Sequence, residues 1–205
     1  KTGKPLILST GMSNLINIEE AINKFKSTGN KNLILLHCLS SYPANESEMN
    51  LNAIKLLKKI YNIPVGLSDH YPNLNVSKLA LGLGANIIER HFTIDKRLEG
   101  PDHILSSTPE EFTDLNSLAR NVNNILGTGE KIIQPSEFQV INTQRKSIYA
   151  NKNLKKGEKI LKNSVIVKGP AGGLAPKYLD LIIGKKIIKN VPKDFPVTWD
   201  HFLSN

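Results

Sequence analysis

Short apolar segments alternate with helical stripes along the first 126 residues of the chain. Four of these segments have the length and composition of strands that are buried on both faces, and they cover residues 5–10, 33–38, 65–70 and 86–92. Patterns with an apolar residue at every third or fourth position separate them, as in amphipathic helices. The alternation predicts four consecutive βα units and therefore an α/β fold with a parallel sheet.

Helix stripes and helix ends can be assigned in several of these units. One stripe consists of Ile18, Ala21, Ile22 and Phe25, and another of Val76, Leu79, Ala80 and Leu83. Gly29 and Gly84 follow the two stripes and are suited to end the helices. Before the last helix, Thr108 can act as the N-cap, Pro109 fits the first helical position, and Glu111 can complete a capping box.

The spacing of the units indicates the C-terminal half of a (β/α)8 barrel. The units average about 31 residues, whereas a complete barrel needs about 250. A doubly wound sheet also fits the alternation, but no Gly-x-Gly-x-x-Gly follows a predicted strand. Polar residues at the strand ends favour the barrel, because barrel active sites are built there. The chain opens at Lys1 just before a strand, so we expect it to be part of a longer protein and inactive alone.

The sequence changes character near Gly127. Residues 127–146 have weak periodicity and are predicted to be a linker. Residues 147–205 have closely spaced turn signals and are predicted to form a small β-rich domain. The expected organisation is a half barrel over 1–126, a linker, and this second domain.

Composition narrows the class of protein. Hydrophobic residues make up 40% and charged residues 22%, as in an ordinary globular chain. No run of about 18 apolar residues exists, so we expect no contact with a membrane. Cys38 is the single cysteine, which excludes an internal disulfide and fits a cytoplasmic protein. The net charge of +9 comes from scattered lysines without an aromatic platform, which argues against nucleic acid and leaves solvated faces or an anionic small substrate.

Two histidines end consecutive predicted strands and are candidate metal ligands. Neighbouring parallel strands lie about 4.8 Å apart, so His70 and His91 could share one divalent ion and leave positions open for water and substrate. On spacing alone, a pair of histidines satisfied by backbone hydrogen bonds is an equally good interpretation. Asp102, in the loop after the fourth strand, is a candidate general base or supporting carboxylate, or simply a turn residue.

Three serines follow the strands at the same edge. Ser9, Ser40 and Ser68 could donate hydrogen bonds to phosphate oxygens, although single serines in such places are usually turn formers. The remaining histidines of this region carry less weight. His37 is predicted to pack in the core, and His103 to be a neighbour of Asp102 without a role of its own.

Five motifs in a fixed order give the chain a family resemblance: ILSTGM, LLHCLSSYP, GLSDH, GANIIERHFTID and GPDH. Together they resemble the sialic acid synthase family, which makes N-acetylneuraminate and related nonulosonic acids such as legionaminic and pseudaminic acids. The tail resembles the antifreeze-like (SAF) domain that follows the barrel in these enzymes, with YANKNLKKGEKILKNSVIVKGPAGGLAP and then LIIGKKIIKNV. The resemblance covers nearly the whole chain.

The resemblance implies a reaction and several ligands for it. Phosphoenolpyruvate would condense with an open-chain acylamino sugar such as N-acetylmannosamine, and phosphate would be released. His70 and His91 match the family's ligands for Mn²⁺, or another divalent cation, which acts as a Lewis acid on the sugar aldehyde. Ser9 and Ser68 match serines that hold the phosphate of phosphoenolpyruvate.

The resemblance also implies substrate contacts and a partner subunit. Tyr42 matches a tyrosine of the substrate site, and Asp102 matches a carboxylate near the metal, so both join the two histidines as expected catalytic residues. Ser40 stands where the family often has asparagine. In a domain-swapped homodimer, the SAF-like domain of one subunit brings an arginine to the sugar site of the other. Gly169 replaces that arginine here, so the acceptor sugar is expected to differ.

Two further interpretations stay open at this point. One is a non-catalytic sugar-binding or structural protein, which would have the same barrel fold but no catalytic activity. A metal-dependent aldolase on another barrel would use similar strand-end residues, but it does not account for the SAF-like tail.

Overall fold

The computed structural model describes residues 2–202, and the chain divides into two compact units, Lys1–Gly129 and Glu130–Asn205. The first unit contains one parallel sheet with the strand order β1-β2-β3-β4. Its strands are β1 (Leu6–Ser9), β2 (Leu33–Cys38), β3 (Val65–Asp69) and β4 (Ile88–Arg90). Its helices are α1 (Leu15–Lys26), α2 (Asn52–Tyr61), α3 (Asn75–Gly82) and α4 (Pro109–Leu126).

The four predicted βα units are confirmed, with one marked difference at the last strand. β2 has the predicted bounds, whereas β4 is limited to three residues. The chain leaves the sheet after Arg90, and Phe92 forms a single parallel bridge with Ser107 instead. The apolar side chain of Phe92 extended the predicted strand to residue 92, but this side chain is 59% exposed and lies outside the sheet.

One face of the sheet packs on the helices and forms the core of the unit. Leu35, Val65 and Leu67 of the sheet are fully buried on this face. Ile22 of α1 and Ile54 of α2 pack against them. At about 25 cal/mol per Å² of apolar surface, burial of such side chains supplies most of the stability of the layer.

The opposite face carries polar side chains near the carboxyl ends of the strands. The register pairs Cys38 with Ser68 and Ser68 with Glu89, so these three residues share that face. Ile7 of β1 is half exposed on the same side. In a (β/α)8 barrel this is the face that turns inward.

The predicted apolar face of α3 is wrong at one position. Val76 and Ala80 are buried, but Leu79 is 61% exposed. Ser77 is fully buried instead, and its hydroxyl donates a hydrogen bond to the carboxylate of Asp69. Two residues along a helix point about 200° apart, so a helix that turns Ser77 to the sheet turns Leu79 to solvent.

The start of α4 follows the predicted capping box. The Thr108 hydroxyl accepts a hydrogen bond from the Glu111 N–H at 3.3 Å, and the Glu111 carboxylate accepts from the Thr108 N–H at 3.0 Å. Pro109 occupies the first helical position. The two residues of the capping box are only three positions apart in the sequence, and the structure contains the box that the sequence predicts.

The second unit has a small core of its own around an antiparallel strand pair. Its elements are α5 (Phe138–Gln144), β5 (Ser147–Ala150), β6 (Val165–Lys168) and α6 (Leu179–Ile182). Isolated antiparallel bridges join Leu154 to Val191 and Lys159 to Lys186. The fully buried residues include Ile148, Ile160, Ile182 and Val197. The predicted linker, 127–146, contains α5, a seven-residue helix that is too short to give a clear stripe.

Within the described part of the chain, no helix is long and apolar enough to cross a membrane.

Gly66 of β3 lies where two strands approach each other closely. A Cβ at this position would lie 2.3 Å from the carbonyl oxygen of Ile87 and 2.8 Å from Cδ2 of Leu36. The Ile87 carbonyl already accepts a hydrogen bond from the Leu67 N–H at 2.9 Å. The backbone therefore has little freedom to yield to a larger side chain.

We expect Gly66→Ala to lower the free energy of unfolding by about 1–3 kcal/mol through overpacking. The matched control is Gly82→Ala at the end of α3, where a Cβ would meet no atom within 4 Å. Alanine at this helical position is expected to raise the free energy of unfolding by about 0.4–1 kcal/mol. Denaturant titration of the protein expressed from the full reading frame measures both changes, and equal effects would contradict the assignment.

Candidate functional site

Three of the predicted site residues meet beyond the carboxyl ends of the strands. The ring centroids of His70 and His91 are 5.2 Å apart, in an edge-to-face arrangement at 81°. The Tyr42 ring lies 4.2 Å from His70 and 5.9 Å from His91. β2, β3 and β4 are adjacent strands, and each is followed directly by one of these residues or by the short loop that carries it.

The surroundings of the two imidazoles favour one tautomer in each. His70 is buried, and its Nδ1–H donates to the carbonyl oxygen of Leu39 at 3.1 Å. Nδ1 of His91 lies 3.5 Å from Oδ2 of Asp102, and both side chains are partly exposed. In each ring the proton on Nδ1 faces an oxygen, which leaves the lone pair on Nε2. Asp102 therefore lies beside the imidazole of His91.

Two imidazoles with free Nε2 lone pairs are a suitable donor pair for a divalent transition metal. Oxygen partners on Nδ1 are also typical of metal-binding histidines, since they fix the orientation of the ring. Among the described residues, no group of three or more His, Cys, Asp or Glu side chains is close enough to hold an ion. An ion at His70 and His91 would therefore take its other ligands from outside the His, Cys, Asp and Glu side chains of the described residues.

Ser68 has a partner that the sequence did not predict. It is buried, and its hydroxyl donates to Oε1 of Glu89 at 2.7 Å. Glu89 is exposed on the open face of the sheet, two residues before His91. The alternation of side chains along a strand was the available signal, because it places Glu89 and His91 on the same side.

The other two predicted serines belong to β1 and to the loop after β2. Ser9 ends β1 and is exposed, and β2 separates it from β3. Ser40 lies in the loop after β2, where its hydroxyl is 3.8 Å from the sulfur of Cys38. Gly11 packs against this loop, and a Cβ on it would lie 2.2 Å from the Ser40 hydroxyl.

Asp69 and Arg90 form a buried ion pair on the helix-covered side of the sheet. Their carboxylate and guanidinium are in contact, and both side chains are fully inaccessible to solvent. Ser68, Asp69 and His70 are three consecutive polar residues in the sequence. Strand alternation places Asp69 opposite to Ser68, on the covered side, where a charge needs a partner.

The loop that carries Asp102 is closed at its base and braced inside. The Ser107 N–H donates to the carbonyl oxygen of His91 at 2.7 Å. Within the loop, His103 is hydrogen-bonded to the Thr93 hydroxyl at 2.7 Å, so His103 holds the loop rather than being a neighbour without a role. The Arg97 guanidinium donates to Asp95 and holds the pKa of that carboxyl below its usual value.

His37, predicted to pack in the core, is half-buried. Its Nε2 lies 2.7 Å from the carbonyl oxygen of Met49, to which it donates. This bond ties the end of β2 to the segment before α2 and leaves His37 outside the imidazole cluster.

The parallel sheet, its helices and the placement of the cluster define part of a (β/α)8 barrel. A model of the NeuB family matches residues 1–131, and a model of the SAF domain matches residues 145–203. The chain belongs to the NeuB family and carries a SAF domain.

Relatives and solved structures agree with this membership. An uncharacterized protein of Methanocaldococcus jannaschii is 48% identical over 100% of this chain and 61% of its own length. N,N'-diacetyllegionaminic acid synthase of Campylobacter jejuni is 42% identical over 95% of this chain and 59% of its own length. The chain thus spans about three fifths of these relatives. The crystal structure of N-acetylneuraminic acid (sialic acid) synthetase from Leptospira borgpetersenii, in complex with citrate, is 42% identical, with a TM-score of 0.61 over 68% of this chain and 48% of that one.

The contact between Gly11 and Ser40 can be tested by a double-mutant cycle. Gly11→Ala alone is expected to lower the free energy of unfolding by about 1–2 kcal/mol, because the new Cβ meets the Ser40 hydroxyl. In a Ser40→Ala background the nearest atom of residue 40 is the Cβ at 3.5 Å, and the sulfur of Cys38 at 3.2 Å is the one tight contact that is left in both backgrounds. The cycle should give a coupling energy of about 0.5–1 kcal/mol. Additive effects of the two substitutions would show that the contact is absent.

Proposed function

We propose that this chain is part of a nonulosonic acid synthase, which condenses phosphoenolpyruvate with an open-chain acylamino sugar and releases phosphate. The observation that carries the proposal is the cluster of Tyr42, His70, His91 and Asp102 beyond the strand ends. Membership of the NeuB family supports the class of product. The printed functions of the relatives from Campylobacter and Leptospira support it further.

The proposed metal site consists of the Nε2 atoms of His70 and His91. A divalent ion such as Mn²⁺, when bound there, would polarise the aldehyde oxygen of the sugar as a Lewis acid. The chain holds the two rings in place through the carbonyl of Leu39 on one side and Asp102 on the other. These contacts keep Nδ1 protonated and present Nε2 to the substrate side.

Asp102 is proposed to act as the general base. Its carboxylate is about half exposed, and its Oδ2 lies 3.5 Å from Nδ1 of His91, so water has access to the group. A carboxylate in this position can take the proton of the water that adds to C2 of the enolpyruvyl group. Tyr42 is 54% exposed while its ring packs on His70, and it is proposed to contact the sugar through its hydroxyl.

The serines are proposed to bind the anionic end of phosphoenolpyruvate. Ser68 is the best placed of them, since it lies on the open face directly before the imidazole cluster. Its hydroxyl proton points to Glu89, and phosphate binding requires that the hydroxyl turn toward the phosphate. Ser9 and Ser40 lie on neighbouring strand ends and are proposed to contact other parts of the substrates.

The SAF domain is proposed to complete the sugar site of a second subunit in a swapped homodimer. Gly169 occupies the position at which the family supplies an arginine, and an added Cβ there would come no closer than 3.7 Å to the Thr143 carbonyl oxygen. A Cβ at this position therefore makes only ordinary van der Waals contacts. With glycine, the acceptor loses a charged hydrogen bond, and a sugar that differs from N-acetylmannosamine is the proposed substrate.

His91→Ala is the direct test of the metal site, in the protein expressed from the full reading frame. Loss of one of two imidazole ligands is expected to lower Mn²⁺ content and to reduce phosphate release from phosphoenolpyruvate and acylamino sugars at least a hundredfold. His201→Asn is the control, because asparagine can replace Nδ1 as the acceptor for the Thr198 N–H in the second unit. Product formation is followed by mass spectrometry. Normal metal content and rate in His91→Ala would reject the assignment.

Gly169→Arg tests the choice of acceptor. A buried arginine that donates to a substrate amide contributes about 1.5–3 kcal/mol, so the preference for N-acetylmannosamine should rise about ten- to a hundredfold. Asn163→Arg adds the same charge at an exposed position of the same unit and is expected to leave the preference unchanged. Specificity constants for a panel of acylamino sugars provide the readout. The same panel profile for Gly169→Arg and the parent protein would remove this position from the recognition site.

A further inference from the structure

The residues that immediately precede the two histidines are an ion pair in register across β3 and β4. Asp69 is paired with Arg90 in the parallel ladder, and their side chains meet on the helix-covered side. His70 and His91 follow them on the open side. Each strand end therefore carries a buried charge and an imidazole on successive residues.

The guanidinium of Arg90 is bonded on all its sides. Nε donates to the Ser107 hydroxyl at 2.6 Å, and Nη2 donates to the carbonyl oxygens of Tyr71 at 2.7 Å and Leu105 at 3.3 Å. Nη1 contacts Asp69. Tyr71 directly follows His70, and Leu105 and Ser107 lie at the end of the loop that follows His91. One rigid planar group therefore connects the two segments.

The carboxylate of Asp69 closes the same network from the other side. Oδ1 accepts the Tyr71 N–H at 2.9 Å, and Oδ2 accepts the Ser77 hydroxyl as well as Arg90. The backbone of Tyr71 is thus held at its N–H by Asp69 and at its carbonyl by Arg90. His70 lies between Asp69 and Tyr71, so its backbone is held by hydrogen bonds on both sides.

His91 is fixed by the corresponding contacts on the fourth strand. Its carbonyl oxygen accepts the Ser107 N–H, and the side chain of Ser107 is the acceptor for Arg90 Nε. Ser107 also closes the loop that carries Asp102 through its bridge with Phe92. Movement of Arg90 would therefore displace His91 and the base of the Asp102 loop together.

We infer that the Asp69–Arg90 pair is a positioning device that sets the separation of the His70 and His91 imidazoles and thereby the affinity of the site for a divalent cation. The inference rests on the proposed function for the metal site. A buried ion pair gives little net stability compared with apolar residues of the same size. Its planar fork, however, fixes five partners in direction as well as distance, which packing alone does not do.

Arg90→Lys tests the inference, because it keeps the charge and removes the fork. The protein is expressed from the full reading frame, and Mn²⁺ binding is measured by electron paramagnetic resonance titration. The expected result is a Kd for Mn²⁺ at least tenfold higher, with kcat at saturating Mn²⁺ reduced much less than in His91→Ala. Ser107→Ala is a milder second variant that removes one acceptor of Arg90, and about a threefold higher Kd is expected.

Ile54→Ala is the control for a general loss of stability. Ile54 is fully buried on α2, away from the ion pair, and its truncation lowers the melting temperature without touching the network. A weaker Mn²⁺ affinity in this control, equal to that in Ser107→Ala, would show that the effect is only destabilisation and would overturn the inference.

The outcomes separate the inference from the proposed function. Unchanged Kd values in Arg90→Lys and Ser107→Ala, with an active parent protein, overturn the inference and leave the function standing. A parent protein that binds Mn²⁺ but releases no phosphate rejects the function, and the Kd values of the variants still decide the inference. A parent protein that binds no Mn²⁺ overturns the inference and the proposed metal site together.

Discussion

A guanidinium enclosed between a sheet and its helices is stable only when each of its N–H groups has an acceptor and its charge has a partner. Arg90 meets this requirement with Asp69, two hydroxyls and two backbone carbonyls. To supply these acceptors, the loop after β3, the loop before α4 and the first turns of α3 must converge on one point. The hydrogen-bonding requirement of the Arg90 side chain therefore constrains the positions of the ends of β3 and β4.

The same strand ends present polar side chains on the open face of the sheet and a buried ion pair on the covered face. Strand alternation sends Ser68 and Glu89 to the open face and Asp69 and Arg90 to the covered one. The imidazoles stand at the next positions, where the strands have ended and the rings can turn toward each other. The polar cluster beyond the strand ends is thus held by contacts on the helix-covered side of the sheet.

The sequence predicted the parts of this arrangement that depend on local signals. The cap at Thr108 and the bounds of β2 follow from neighbouring residues, and the approach of His70 and His91 follows from consecutive strand ends. The exposure of Leu79 could not be derived from its stripe, because the rotation of α3 depends on a hydrogen bond to another element. The burial of Asp69 could not be predicted without the strand register, which decides the face of the sheet to which a charged side chain points.

Because Gly11 packs tightly against the loop after β2, the residues that are tolerated at position 11 depend on the residue at position 40. With serine at position 40, the hydroxyl fills the space that a Cβ on residue 11 would need. A side chain at residue 11 therefore requires the Ser40 hydroxyl to rotate away, and a larger residue at 40 that fills the same space favours glycine at 11. The order in which the two substitutions arise decides which ones are accessible. The two positions are thus expected to show epistasis, although they lie 29 residues apart in the sequence.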